Sequence, residues 1–181
     1  KVAEYALSYI LRENQYHAKF QHDQTLKRWS PQTPKPTAQQ TVMIFGTGEI
    51  GQQVANLLHT FGMQVFGVSR SGTHKAPFRK VFDTNSIHAL PPNLDCVINT
   101  LPLTLETHNL FDTTLFQQFD NILFINCGRG ASVNDAALLK ALSTRSVCKA
   151  ILDVFSDEPL DQAHPFWEHD DITITPHISA V

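Results

Sequence analysis

The stretch TVMIFGTGEIGQQVANLL, residues 41–58, decides the fold of this chain. Its apolar opening, 41–45, predicts a buried strand, and an amphipathic run at 49–61 predicts a helix. Gly46, Gly48 and Gly51 join the two with the spacing GxGxxG. A glycine-rich turn between a strand and a helix is typical of βαβ units that bind a dinucleotide, whereas the alternative is a plain tight turn.

Short apolar runs continue along the chain and alternate with amphipathic runs. We predict strands at 41–45, 63–68, 80–82, 96–100, 122–126, 148–152 and 172–175. We predict helices between them at 49–61, 84–89, 112–118 and 134–142. Alternating strands and helices indicate parallel βαβ units, so the predicted fold is α/β: a doubly wound, Rossmann-type, mainly parallel sheet with helices on both faces.

The part of the chain before residue 41 departs from this pattern. Residues 2–12 have helical apolar spacing, 13–30 fit a second helix or an arm, and 30–40 form a proline-rich connector. We therefore expect 1–40 to be a leading helix and arm that packs on the domain or on a dimer partner. We expect 41–181 to be the dinucleotide-binding domain. A helix that begins uncapped at the first residue suggests a piece excised from a longer, two-domain protein.

Composition excludes several classes of protein. The 181 residues are 42% hydrophobic and 17% charged, with a formal net charge of −3, as expected of a globular protein. This charge argues against nucleic acid and against a membrane surface as partners, and no apolar run has the length of a membrane span. Cys96, Cys127 and Cys148 form no CxxC pair, so we expect reduced thiols in the cytoplasm. The nine histidines lack metal-ligand spacing, so no metal site is expected.

Each residue of the glycine turn has a predicted task. Gly46 permits the tight turn, Gly48 lets a pyrophosphate approach the backbone, and Gly51 lets the helix pack on the sheet. The helix begins at Glu49 and Ile50, where free backbone N–H groups suit a phosphate. All five residues are therefore candidate cofactor contacts.

The second predicted strand ends in Ser69, Arg70 and Ser71. An NAD site usually has an acid here for the ribose 2′-hydroxyl, and this segment has none. An arginine fork between two hydroxyls suits a 2′-phosphate, so NADP(H) is the expected cofactor, with NAD(H) as the second choice. The alternative is a solvated loop arginine that plays no part in discrimination.

Three later strands are followed by polar segments: NCGRG, DVFSDEP and TPHIS. Because ligands bind beyond the carboxyl ends of such strands, we expect Arg129, Glu158 and His177 to converge on one crevice. Arg129 would bind a carboxylate and a carbonyl oxygen, and His177 would donate or accept a proton. Glu158 would hold the other ring nitrogen of that histidine. The structural alternatives are an ion pair for Arg129 and plain loop positions for the other two.

Five motifs together resemble the cofactor-binding domain of the D-isomer-specific 2-hydroxyacid dehydrogenases: GTGEIG, TLPLTLET, INCGRG, DVFSDEP and HPFWEHDDITITPHISA. The resemblance implies that Arg129, Glu158 and His177 are the catalytic set. It implies hydride transfer between NAD(P)H and a small 2-oxo or 2-hydroxy acid, and the SRS segment is most similar to glyoxylate and hydroxypyruvate reductases. It also implies a homodimer and a substrate domain that lies outside this chain, so that the chain alone would bind cofactor without turnover.

The same resemblance implies further cofactor contacts. Thr100, Leu101, Pro102 and Thr107 would line the ribose on the nicotinamide side, and Asp153 would contact the nicotinamide carboxamide. The remaining contacts that we expect are Cys127, Gly128, Arg129, His177 and Ser179. Cys127 is not expected to be a nucleophile, because no base neighbours it in sequence. The missing acid after the second strand is a departure from the family.

Two other functions compete with the reductase. A dinucleotide-sensing binding module of the same fold, such as a corepressor, can keep both the glycine turn and the three catalytic residues. An S-adenosylmethionine-dependent methyltransferase also uses a glycine-rich turn, but it has no role for Arg129, Glu158 and His177. The sequence favours the reductase.

Overall fold

One parallel sheet organises the molecule, seen in a computed structural model that describes residues 1–181 apart from the side chains of His88 and Ala89. The strands are β1 Thr41–Phe45, β2 Gln64–Ser69, β3 Val81–Asp83, β4 Cys96–Asn99, β5 Ile122–Asn126, β6 Val147–Leu152 and β7 Ile172–Ile174. They lie in the order β3-β2-β1-β4-β5-β6-β7, and every neighbouring pair is parallel. The predicted doubly wound α/β fold is confirmed, and each predicted strand lies within one residue of the observed one.

The helices are α1 Val2–Asn14, α2 His17–Thr25, α3 Glu49–Thr60, α4 Thr113–Phe116 and α5 Asp135–Ser143. The prediction of a helix at 84–89 was wrong in type, because Thr84–Ala89 is a 3₁₀ helix. Asp83 caps its start, and two prolines follow shortly after its end, so a longer α-helix cannot form. Across the part of the chain that the structure describes, no helix is both long and apolar enough to cross a membrane.

Both faces of the sheet are buried, which explains why its strands are apolar without interruption. In β1, Val42 and Ile44 face one core while Met43 and Phe45 face the other, as the two-residue period of a strand requires. Helices α1 and α3 cover the first face, and α4 and α5 cover the second. The glycine turn leaves β1 between these two layers.

Helix α1 belongs to the core of the domain. Ala6, Leu7 and Ile10 are buried in the same cluster as β1 and α3. Burial of a leucine or isoleucine side chain stabilises a fold by about 1.5–3 kcal/mol, so α1 contributes substantially to the packing of this face. The division of the chain at residue 40 stays a prediction.

The turn after β1 is held by a very close approach of α3. Gly46 has φ +101°, a left-handed conformation that favours glycine, and its N–H donates to Val68 O at 2.9 Å. A Cβ on Gly51 would stand 1.8 Å from Gly46 O, so the helix can reach the turn only without a side chain there. By contrast, a Cβ on Gly48 would meet nothing within 4 Å.

Gly51→Ala should therefore destabilise the domain far more than Gly48→Ala. The first change forces two backbone segments apart, and we expect a loss of about 3 kcal/mol or more in the free energy of unfolding. The second adds a methyl group in open space at a helix N-cap, where we expect about 1 kcal/mol or less. Urea denaturation followed by circular dichroism compares the two, and equal losses would contradict the packing role of Gly51.

Candidate functional site

A groove of about 650 Å³ lies where the strand order reverses, beyond the carboxyl ends of β1 and β4. This is the position at which open α/β sheets bind their ligands. The groove is lined by Gly46, Thr47, Gly48, Val68, Ser69, Arg70, Thr84, Asn85, Leu101, Pro102, Thr104, Glu106, Thr107 and Leu110. It contains predicted cofactor contacts from the glycine turn, from the end of β2 and from the loop after β4.

The glycine turn has the shape that a dinucleotide pyrophosphate needs. Gly48 is the N-cap of α3, and the space where its side chain would stand is open. The adjacent Glu49 and Ile50 are exposed. The first N–H groups of a helix lack intrahelical partners and carry the positive end of its dipole, so they suit a phosphate.

The loop after β4 is braced by its own threonines. Thr107 Oγ1 donates to Pro102 O at 2.7 Å and accepts from Thr104 N at 2.7 Å. Thr100 Oγ1 lies under the glycine turn and donates to Phe45 O at 3.0 Å. Thr100 thus holds the ends of β1 and β4 together, and its hydroxyl oxygen can still accept a hydrogen bond from a ligand.

A second pocket, of about 410 Å³, lies at the end of β2 and is lined by several basic side chains. It is lined by Thr47, Ser69, Arg70, Ser71, Thr73, His74 and Lys75. Lys75 Nζ donates to Thr47 O at 3.3 Å, so this lysine reaches from the β2 loop to the glycine turn. Arg70 and the two serines were predicted contacts and Lys75 was not, although a second basic residue five positions beyond Arg70 was an available signal.

Glu106 stands in the same groove as Arg70. A hydrogen bond with Thr104 lowers the pKa of Glu106, and the charge of Arg70 lowers it further. Glu106 therefore stays ionised at neutral pH and gives Arg70 a counter-charge in the groove.

The three predicted catalytic residues meet in a third cavity, of about 250 Å³. Its walls are Leu103, Arg129, Gly130, Ala131, Val154, Phe155, Ser156, Glu158 and His177. His177 Nδ1 lies 2.8 Å from Glu158 Oε2, and the other carboxylate oxygen accepts from Phe155 N at 2.9 Å. The glutamate is thereby fixed at both oxygens, and the Nε2 side of the imidazole is left for a ligand.

The surroundings of Glu158 favour its ionised form. Partial burial raises the pKa of Glu158, but its hydrogen bonds with His177 and with the N–H of Phe155 outweigh this effect. The net result is a pKa below the ordinary value of glutamate. The carboxylate is therefore anionic at neutral pH and can accept a hydrogen bond from the imidazole at Nδ1.

Arg129 has no acidic partner among the ion pairs of the described residues. Its guanidinium donates to the neighbouring Gly128 O at 2.6 Å, which leaves most of its donors unused. A Cβ on Gly130 would lie 1.8 Å from the carbonyl carbon of Phe155, so the arginine loop and the loop after β6 can meet only through a glycine.

A buried network of polar side chains shapes the arginine loop. Asn99 Nδ2 donates to Asn126 Oδ1 at 2.9 Å and to Ser132 Oγ at 2.7 Å. Ser132 Oγ donates in turn to Arg129 O at 2.6 Å. All three network residues are almost fully buried. None of the three was predicted from the sequence, although an asparagine at the end of each of two neighbouring apolar strands was an available signal.

Three predicted cofactor contacts are buried: Cys127, Asp153 and Ser179. Both carboxylate oxygens of Asp153 accept hydrogen bonds from the segment that carries His177. Asp153 has no exposed surface, so the predicted contact with nicotinamide would require the residues around it to move. Burial strongly raises the pKa of the Cys127 thiol, which agrees with its expected lack of nucleophilic character.

An apolar cavity of about 410 Å³ flanks the Glu158–His177 pair on another side. Its walls are Phe155, Glu158, Pro159, Leu160, Trp167, Ile174, Pro176 and His177. Trp167 is 51% exposed, and its Nε1 donates to Asp161 O at 2.8 Å.

The described residues contain no group of three or more His, Cys, Asp or Glu side chains that could hold a metal ion.

The sequence profile of the D-isomer specific 2-hydroxyacid dehydrogenases, NAD binding domain, matches residues 5–179. The chain belongs to this family. Glyoxylate/hydroxypyruvate reductase A of Serratia proteamaculans is 37% identical over 182 residues, covering 100% of this chain and 58% of that protein. The protein of the same name from Yersinia enterocolitica is 35% identical, with the same coverage. The chain thus spans 58% of the length of these dehydrogenase relatives.

Solved structures of the dehydrogenase family share the fold. The NADPH-dependent glyoxylate/hydroxypyruvate reductase of Sinorhizobium meliloti superposes with a TM-score of 0.93 at 30% identity, over 99% of this chain and 72% of that one. A D-isomer specific 2-hydroxyacid dehydrogenase of Xanthobacter autotrophicus Py2, in complex with NADPH and MES, gives 0.90 at 32% identity, over 99% and 75% of the two chains.

Ser132→Ala should lower the free energy of unfolding by about 1–3 kcal/mol, because it removes a buried donor to Arg129 O and a buried acceptor for Asn99. The matched control is Ser143→Ala, since that serine also donates to a backbone carbonyl but is exposed. We expect the control to change stability by about 0.5 kcal/mol or less. Chemical denaturation measures both, and a neutral Ser132→Ala would mean that the network does not hold the arginine loop.

Proposed function

We propose that this chain is the cofactor-binding part of an NADP(H)-dependent D-2-hydroxyacid dehydrogenase that reduces a small 2-oxo acid, such as glyoxylate or hydroxypyruvate. The observation that carries the proposal is the cavity in which Arg129, Glu158 and His177 meet. We propose that residues 41–181 are the dinucleotide-binding domain and 1–40 a leading helix and arm. The substrate domain would come from the remainder of a longer protein, as the greater length of the relatives suggests.

The preference for NADP(H) is supported by the cation-rich pocket at the end of β2. Arg70 and Lys75 line it together with hydroxyl groups, and no acid is among its lining residues. A 2′-phosphate is close to a dianion, so two cations and several donors would bind it in place of water. Similar structures include one in complex with NADPH and one described as NADPH-dependent.

The residues of the cavity support a reduction at a carbonyl group. A bound reduced nicotinamide would supply the hydride to the carbonyl carbon. The unused donors of Arg129 would hold the substrate carboxylate and polarise its carbonyl oxygen. His177, held through Nδ1 by Glu158, would donate a proton from Nε2 to that oxygen. Glu158 would orient the ring and stabilise its protonated form until the transfer.

We further propose a homodimer and a cytoplasmic location. The region of α2 and the following arm exposes Phe20, Leu26 and Trp29, and Trp29 is 96% exposed. Apolar side chains gathered in this way are typical of a surface that another chain covers. The three cysteines are free thiols, which fits a reducing compartment.

Cofactor preference is tested by fluorescence titration of this chain with NADPH and with NADH. We expect NADPH to bind more tightly, and Arg70→Asp to weaken NADPH binding about 100-fold or more, because an attraction to phosphate becomes a repulsion. Arg79→Asp has the same charge change outside the pocket and should leave both affinities nearly unchanged. Equal affinities that Arg70→Asp does not alter would make Arg70 a solvated loop residue, and no binding of either would contradict the cofactor proposal.

Catalysis is tested in the full-length protein with glyoxylate, hydroxypyruvate and pyruvate. We expect His177→Asn to lower kcat by about 10²- to 10⁴-fold, the contribution of a general acid, and to change the affinity for NADPH far less. His59→Asn, at the exposed end of α3, is the control. The chain alone should bind cofactor without turnover. Failure of the full-length protein to reduce all three acids would favour the dinucleotide-sensing module over the enzyme.

A further inference from the structure

The backbone of His177 is held in an unfavourable conformation. Its φ is +56°, in the left-handed region that a residue with a side chain rarely adopts. Such a conformation is strained and persists only where surrounding contacts enforce it. The N–H of His177 donates to Asp153 O at 2.9 Å and to Thr175 O at 3.0 Å. These bonds fix the residue itself, and further bonds fix the residues on either side of it.

The carboxylate of Asp153 binds both flanks of His177. Oδ1 accepts from Thr175 Oγ1 at 2.5 Å and from Ile178 N at 2.9 Å, and Oδ2 accepts from Ser179 N at 2.8 Å. Asp153 has no exposed surface and forms no ion pair with a described residue. A buried carboxylate without a cation depends on such donors, so the carboxylate and this segment stabilise each other.

The chain of hydrogen bonds continues to helix α1. Tyr5 Oη lies 2.7 Å from Thr175 Oγ1, between residues 170 positions apart in sequence. The threonine hydroxyl has one proton and gives it to Asp153, so the tyrosine must be the donor to Thr175. Burial raises the pKa of Tyr5, so its proton is retained at neutral pH. The direction of the bonds is therefore from Tyr5 to Thr175 to Asp153.

We propose that Tyr5 is a positioning residue for His177, acting through the hydroxyl of Thr175 and the carboxylate of Asp153. This rests on the proposed function, in which His177 is the proton donor. Tyr5 does not line the cavity of Arg129, Glu158 and His177, so it acts only by holding the segment 175–179. An imidazole on a loosened segment would meet the substrate less often in a productive geometry, since small misplacements of catalytic groups reduce rates strongly.

The experiment uses the full-length protein and two measurements, steady-state kinetics and amide hydrogen exchange. Tyr5→Phe removes the terminal donor, Thr175→Val removes the middle hydroxyl with little change of shape, and Thr175→Ser restores that hydroxyl. The control is Tyr9→Phe, because Tyr9 lies on the same helix with its ring 4.9 Å from that of Tyr5 but has no hydrogen bond of its side chain in the described residues.

We expect Tyr5→Phe to lower kcat about 3- to 10-fold and Thr175→Val about 10- to 100-fold, with little change in KM. The amides of Ile178 and Ser179 should exchange faster in both, whereas those of β5 should not. Thr175→Ser and Tyr9→Phe should resemble the wild type in both measurements. This pattern would separate positioning from a general loss of stability, which would raise exchange throughout the sheet.

Three results would overturn the proposal. Unchanged kcat and unchanged exchange in Tyr5→Phe and Thr175→Val would mean that these hydrogen bonds do not hold the segment 175–179. Faster exchange with unchanged kcat would mean that they hold the segment without positioning the histidine. Equal effects of Tyr9→Phe and Tyr5→Phe would assign the effect to helix packing. If the wild type reduces no 2-oxo acid, the proposed function fails, and the exchange of Ile178 and Ser179 still decides whether Tyr5 holds the segment.

Discussion

The parallel direction of the strands is the constraint on which the site depends. Because all seven run the same way, their carboxyl ends lie along one edge of the sheet. The glycine turn, the arginine loop and the histidine segment follow β1, β5 and β7 respectively, so each emerges at that edge. Helices that cover both faces of the sheet leave this edge open to ligands. The groove and the cavity of Arg129, Glu158 and His177 are therefore products of one topology.

The sequence predicted what depends on local pattern. Apolar runs gave the strands to within one residue, and the position of Arg129, Glu158 and His177 after successive strands predicted the cavity in which they meet. It did not predict that 84–89 would be a 3₁₀ helix, because the pattern of apolar residues does not distinguish that helix from a short α-helix. The hydrogen bond from the Thr100 hydroxyl to Phe45 O, beneath the glycine turn, was not predicted either, because the two residues are distant in sequence.

Buried polar groups at the carboxyl edge follow two different physical rules. The network of Asn99, Asn126 and Ser132 is neutral, and each member both donates and accepts. Asp153 is an anion and can only accept, so every group that faces it must be a donor. Neither arrangement can be predicted from a single sequence position, because the hydrogen-bonding groups of each side chain are satisfied by partners that follow several different strands. For this reason Tyr5 could not be chosen from its position in the sequence, since its partner Thr175 belongs to the segment after β7.

The bond between Tyr5 and Thr175 also has a consequence for the order of folding. It closes a loop across a separation of 170 positions, and contacts of such separation carry a large entropy cost before they form. The contacts of the glycine turn span shorter separations: the N–H of Gly46 donates to Val68 O, and Thr100 Oγ1 donates to Phe45 O. The segment 175–179 thus acquires its full set of hydrogen bonds only once α1 has packed on the sheet. In the order of folding, the glycine turn can therefore be complete while the segment that carries His177 still lacks its bond to Tyr5.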